Sequence, residues 1–285
     1  MSRTTVIRRA MGAGRWFPGS RRELLAAVEE YIERAEVPPI EGRVVGGIGP
    51  HAGYMYSGAI AGHTFRAVRD NIRRGHVPDT VVVLGFSHRG GFAGAAIMDG
   101  DAVETPLGQL ALDREAAGLL TAEAPCMVLN YGPHAGEHSA ENQLPFLQAA
   151  APGSKAVVCL VGDHSAATLD AVVKALVRLN EERRVLVLAS TDLLHDPDYE
   201  RVTASDRKTM QQFGALDYKG ILGRWSYSSQ VCCGIGPVLC AMRFAEQLGV
   251  RQGKVLHYRN SGDDFPESRG SWVVGYGAAV FAQDD

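Results

Sequence analysis

Arg43-Val44-Val45-Gly46-Gly47-Ile48-Gly49 runs directly into Pro50-His51-Ala52-Gly53-Tyr54. An apolar run of this length that stops at a proline reads as a buried strand. The histidine then stands just past the strand's carboxyl end. Two more segments end in the same way: Thr80 to Phe86 runs into Ser87-His88, and Val185 to Ser190 runs into Thr191-Asp192, with His195 close behind. Ligands of open α/β sheets bind outside the carboxyl ends of the strands. Three such ends bearing imidazole and carboxylate therefore predict one convergent pocket, of a kind suited to a metal.

The segments between these strands fix the fold class. Ala59 to Arg73 has helical periodicity, and Pro78-Asp79 turns the chain into Thr80, which makes a strand, helix, strand unit. The unit recurs. Lys155 to Val161 is strand-like, Ala167 to Asn180 carries Leu169, Val172, Val173, Leu176 and Val177 at helical spacing, and Arg184 to Ser190 is a strand again. Such alternation predicts an α/β fold with a mainly parallel central sheet covered by helices on both faces. With no repeat and no linker, residues 1–285 are expected to form a single domain. Ahead of the first strand, Ser20-Arg21-Arg22-Glu23 reads as a capping box opening a helix through Leu24, Val28 and Ile32 that ends near Val37-Pro38-Pro39. Later, Tyr199 to Leu222 reads as a longer helical stretch broken by Gly214 and Gly220, and Pro237 to Leu248 as a helix. Lys254 to Arg259 and Trp272 to Phe281 read as closing strands.

Composition narrows the partners. The 285 residues are 46% hydrophobic, enough for a large core, and the net charge of −3 comes from intermixed acids and bases. No basic footprint for nucleic acid or an anionic membrane is present, so a small molecule or a peptide is the expected ligand. Met1 to Arg9 lacks the apolar centre of a signal peptide, and no apolar run reaches the roughly 18 residues needed to span a bilayer. A cytoplasmic protein is expected. The five cysteines form an odd set with no spaced pair, which fits reduced thiols.

Several residues carry candidate chemistry. His51 sits between a rigid Pro50 and a permissive Ala52-Gly53, and His88 follows Ser87 at a strand end. Neutral imidazole is a common metal ligand whose second nitrogen needs an oxygen partner. Asp192 and His195 are three apart, so a helical turn there would point both the same way. His138 and Glu141 repeat that spacing in Glu137-His138-Ser139-Ala140-Glu141. Cys233, just ahead of a predicted helix, is expected to gain thiolate character from the helix N-terminus. His63, His76, His134, His164 and His257 have no local support for a ligand role.

At this point the chain resembles a known family. Pro50-His51-Ala52-Gly53-Tyr54, Leu84-Gly85-Phe86-Ser87-His88, Thr105-Pro106-Leu107-Gly108, Glu137-His138-Ser139 with Gln143-Leu144-Pro145-Phe146, Ser190-Thr191-Asp192-Leu193 with His195, and Cys233-Gly234 with Pro237 are similar to the motifs of the Memo family, in microbes also called AmmeMemoRadiSam system protein B. The ordered motifs extend over nearly the whole chain, from about Gly14 to Ala279. The resemblance implies a fold related to class III extradiol ring-cleaving dioxygenases. It implies His51, His88 and Cys233 as metal ligands, with Asp192 and His195 close by. His195, whose ordinary pKa lies near neutrality, is the expected catalytic acid or base, with Asp192 as its catalytic partner, and Tyr54, His138 and Glu141 are expected in the same pocket. Fe(II) is the implied metal, with copper or zinc as alternatives. Family members carry histidine where Gln143 stands in some animal proteins, so that position supplies no ligand here. A dioxygenase-like oxidoreductase is one implied function; a metal- or peptide-binding protein without turnover is the other.

Overall fold

The computed structural model describes residues 5–284. Strands β1 (Ile7–Arg9), β2 (Arg43–Gly49), β3 (Thr80–Phe86), β4 (Ala95–Ile97), β5 (Ala102–Thr105), β6 (Gly108–Ala111), β7 (Met127–Leu129), β8 (Lys155–Val161), β9 (Val185–Ser190), β10 (His195–Asp196), β11 (Gly253–Asn260) and β12 (Val273–Gln283) form two sheets. The larger has nine strands in the order β10-β12-β2-β9-β3-β8-β4-β7, with β11 added on β12. Its centre, β2-β9-β3-β8, is parallel, while β12 runs antiparallel to β2 and β4 antiparallel to β8. The fold is thus α/β with a mixed sheet parallel at its centre, flanked by helices. β1, β5 and β6 make the small second sheet.

The four central strands are buried along almost their whole length. Alternate residues face opposite cores. Val82, Leu84, Val157, Cys159 and Val187 pack with helices α3 (Arg114–Glu123), α5 (Ala166–Glu182) and α8 (Ile235–Gln247). Val81, Val83, Val158, Leu186 and Leu188 pack on the other side with α1 (Arg21–Arg34), α2 (Tyr54–Arg73) and α4 (Leu144–Ala150). Among the described residues, no helix is long and apolar enough to cross a membrane.

Several sequence expectations shift in detail. α2 begins at Tyr54, five residues before Ala59, because Tyr54, Ser57 and Gly58 already face the core. The Ser20 hydroxyl accepts from the Glu23 amide as expected, but the Glu23 carboxylate takes the Ser20 hydroxyl proton, and α1 ends at Arg34. The Tyr199–Leu222 stretch divides into α6 (Tyr199–Gly214) and α7 (Tyr218–Arg224). The break falls at Leu216, whose φ of 53° is left-handed, and Asp217 caps the new helix through the Gly220 amide. Gly220 therefore lies within the first turn of α7 and breaks nothing.

Candidate metal centre

β2, β9 and β3 are consecutive neighbours in the sheet and parallel, so their carboxyl ends lie side by side. The loops that leave them carry His51, Asp192 and His88. Side chains from the outer two converge over the end of β9. One potential donor atom from each of His51, His88 and Cys233 lies within 4.8 Å of the other two.

Each candidate ligand is held by bonds that also fix its chemistry. The Pro50 and His51 carbonyls accept from Gln143 Nε2 (2.7 Å) and Asn142 Nδ2 (2.6 Å), and the His51 amide donates to Asp192 Oδ1 (2.8 Å). His51 Nδ1 meets Ser190 Oγ at 3.0 Å. That hydroxyl gives its proton to the Ser139 carbonyl and accepts from Gln143 Nε2. A hydroxyl has one proton, so toward His51 it can only accept. The imidazole proton therefore resides on Nδ1, and Nε2 presents its lone pair to Cys233 Sγ, 3.5 Å away. Burial, opposed in part by Asp192, lowers the His51 imidazole to about 4, so the ring is neutral at physiological pH.

His88 is oriented by Glu137. The carboxylate accepts from His88 Nδ1 (2.9 Å) and the His88 amide (2.7 Å), and from the His138 and Ser139 amides (2.8 Å each). Burial alone would push this carboxyl up, but the bonds from His88 and the amides outweigh it and hold Glu137 at about 2. With Nδ1 donating to a carboxylate, His88 Nε2 is left available to a cation, an arrangement common in metal sites. Ser139 brings this segment against β3, donating to the Phe86 carbonyl at 2.6 Å. Gly85 permits the approach: a Cβ there would meet Ser139 Oγ at 2.6 Å.

Cys233 rather than Cys232 turns toward the histidines. Its sulfur accepts from the Asp192 amide (3.2 Å), and its own amide donates to the Asp192 carbonyl (3.1 Å). The expected low-pKa thiol is not found. Burial first, then the nearby Asp192 carboxylate, push the Cys233 thiol well above its ordinary range. α8 starts at Ile235, and the helix terminus does not offset that burial. The donor set of two imidazoles and one buried sulfur is chemically suited to a metal cation, whose charge would favour the thiolate.

The remaining predicted residues divide. Asp192 and His195 do not share a helical turn: His195 lies on β10 opposite Val274, because the chain after β9 pairs with β12. Asp192 Oδ1 is occupied by the His51 and Ala52 amides, and Oδ2 lies 3.9 Å from His51 Nε2. Burial lowers the His195 imidazole below its ordinary value, with Asp192 opposing. His138 lies flat between Trp16 (4.0 Å between ring centroids) and His88 (4.5 Å), and its carboxylate neighbour is Glu137. Glu141 points elsewhere, accepting from the Gly12 amide at 2.6 Å. Tyr54 is buried, with its hydroxyl donating to the Asn142 carbonyl (2.8 Å). Glu137 joins the site without being among the residues expected there; its sequence signal is the oxygen partner that a ligating His88 requires.

Beside the centre opens a cleft of about 750 Å³, lined by Trp16, Phe17, Tyr31, Tyr56, Phe265, Trp272 and Tyr276 among others, and by Ala52, the neighbour of His51. Trp16 joins it to His138 and Trp272 to His195. The sequence pattern of the Memo-like protein family matches residues 8–280. The chain belongs to the Memo family. It is 34% identical over 280 residues to a MEMO1 family protein of Methanopyrus kandleri, covering 94% of this chain and 96% of that one. A MEMO1 family protein of Aeropyrum pernix is 34% identical over 285 residues (95% and 98%), and one of Methanothermobacter thermautotrophicus 33% over 281 residues (95% and 99%).

Proposed function

We propose that this Memo family protein is a metal-dependent oxidoreductase acting on a small phenolic or related aromatic molecule, with Fe(II) as its metal and copper or zinc as ions the same donors accept. The observation that carries this reading is the convergence of His51, His88 and Cys233 beside an aromatic cleft. Two imidazoles and a thiolate favour iron, copper or zinc over magnesium or calcium. A metal held there would supply Lewis acidity and redox chemistry toward dioxygen. The chain's own groups would do the rest. Ser190 and Glu137 accept from the Nδ1 atoms of His51 and His88 and so aim both rings through Nε2. The aromatic walls would hold a flat ring and exclude water. His195, kept neutral by burial and standing beside Trp272, is suited to accept a phenolic proton.

A binding protein without turnover is the second reading, favoured by the exposure of the cleft's rim, where Met55 is 68% and Trp272 56% accessible, as a peptide-docking surface would be. The test uses protein purified without a histidine tag, assayed for metal and then reconstituted anaerobically with Fe(II). Oxygen uptake is followed against a panel of catechols and simple phenols. Substrate-dependent uptake that His195→Ala abolishes while metal is retained supports the enzyme. Tight metal retention with no uptake across the panel, together with peptide binding in the cleft, supports the binder.

A further inference from the structure

Asp206 lies in α6, on the far side of the segment that carries Asp192 and His195, and is fully buried. Its Oδ1 accepts from the Leu194 amide at 3.1 Å, and its Oδ2 from the Tyr258 hydroxyl at 3.1 Å. The direction of the second bond follows from its neighbours. Asn260 Oδ1 accepts from the Asp263 amide, so its Nδ2 faces Thr203 and Tyr258 as a donor. Tyr258 accepts from Asn260 and sends its own proton to Asp206. Two donors thus converge on one carboxyl. Gly275 of β12 makes the room, since a Cβ there would overlap Asp206 Oδ2. Gly275 also closes the clamp: its carbonyl accepts from the Leu193 amide (2.8 Å), and its amide donates to the Leu194 carbonyl (3.1 Å).

We propose that Asp206 is a positioning residue: its carboxylate, held between Tyr258 and the Leu194 amide, fixes the backbone that presents Asp192 and His195 to the metal centre. The charged or titratable groups that face it are Tyr258 from β11, Arg224 from α7 and the Cys232 thiol ahead of α8. Burial pushes the Asp206 carboxyl up to about 7 against the pull of the Leu194 amide, Tyr258 and Arg224. The carboxylate form gains ground as pH rises through neutrality, and with it the grip on Leu194. The inference rests on the reading of Asp192 and His195 as working groups, but its test needs neither turnover nor metal.

The test is the Leu194 amide proton resonance of the full-length metal-free protein, followed by NMR from pH 5.5 to 8.5. In the wild type the resonance should move downfield as pH rises, with a midpoint near neutrality. Asp206→Asn, which keeps the shape and removes the titration, should flatten that curve while leaving the fold intact. Tyr258→Phe removes a donor from the carboxylate and should raise the midpoint by roughly one pH unit or more. Asp206→Ala should displace the His195 ring resonances, and Asp206→Asn should largely restore them. A role confined to packing would lower stability in each variant without moving any midpoint. An unchanged titration in Asp206→Asn would assign the curve to His195 and overturn the proposal, as would a wild-type curve that is flat across the range.

Discussion

Glu137→Gln is the sharpest probe of how the histidines are held. Four donors reach the carboxylate: His88 Nδ1 and the amides of His138 and Ser139 at Oε1, and the His88 amide at Oε2. An amide side chain has one acceptor oxygen. Placed at the Oε1 position, it turns its NH2 against the His88 amide, so one donor loses its partner and a second donor faces it. Held at about 2 against an ordinary 4.5, the Glu137 carboxyl contributes about 3 kcal/mol to the metal-free fold at neutral pH. Its folded value is depressed, so this contribution is present above about pH 4.5 and is lost as pH falls toward 2. The substitution should remove much of it. Loss of a carboxylate partner behind a ligating histidine typically costs about 10- to 100-fold in metal affinity. The assay is chelator competition for Fe(II) under argon at pH 7.5, with urea unfolding of the metal-free proteins alongside. If Glu137→Gln bound Fe(II) within twofold of wild type and unfolded at the same urea concentration, the account of His88 would fail.

His51→Ala and His88→Ala should each abolish tight metal uptake in titration calorimetry while the circular dichroism spectrum is kept, since both residues lie beyond the strand ends. Gly234→Ala would bring a Cβ to 2.5 Å from the Ser190 carbonyl oxygen; a cost of about 1–3 kcal/mol in urea unfolding and weakened metal uptake are expected, because the backbone beside Cys233 must shift. His51, His134 and His138 are each lowered by burial to about 4. The unfolded chain therefore takes up protons first, and stability should fall as pH drops from about 6.5 to 4, by at least about 2 kcal/mol across the series of unfolding curves. Trp272→Ala should weaken binding of aromatic ligands in the cleft, read by fluorescence titration, without changing metal affinity.

The central strands were legible because buried β-branched runs ending at proline, serine or threonine leave little else for the backbone to do. Their adjacency was legible only through the α/β rule. That β9 inserts between β2 and β3 depends on long-range pairing, and no local pattern states it. The antiparallel strand β12 and the small sheet of β1, β5 and β6 are set by tertiary contacts in the same way. At the site, His51, His88 and Cys233 were named from strand ends and family motifs. The helical spacing assumed for Asp192 with His195 fails because that segment pairs with β12 and its Leu194 amide is held by Asp206; His138 and Glu141 do share a turn, closed by the Asn142 amide on the His138 carbonyl, but the Glu141 carboxylate is drawn away to the Gly12 amide. Glu137 acts on a histidine 49 positions away, a relation that spacing cannot encode. For the Cys233 thiol, burial outweighs the helix start that the sequence shows, because the depth of the site is set by packing from distant elements.

His51, His88 and Cys233 are proposed to hold a metal together. X-ray absorption at the metal edge, on protein purified without a histidine tag and loaded with one equivalent of Fe(II), reads the donor atoms directly. One sulfur scatterer and two imidazoles are predicted, with the sulfur signal vanishing in Cys233→Ser and persisting in Cys232→Ser. A first shell of oxygen and nitrogen alone in the wild type, or a sulfur signal that survives Cys233→Ser, would contradict the site.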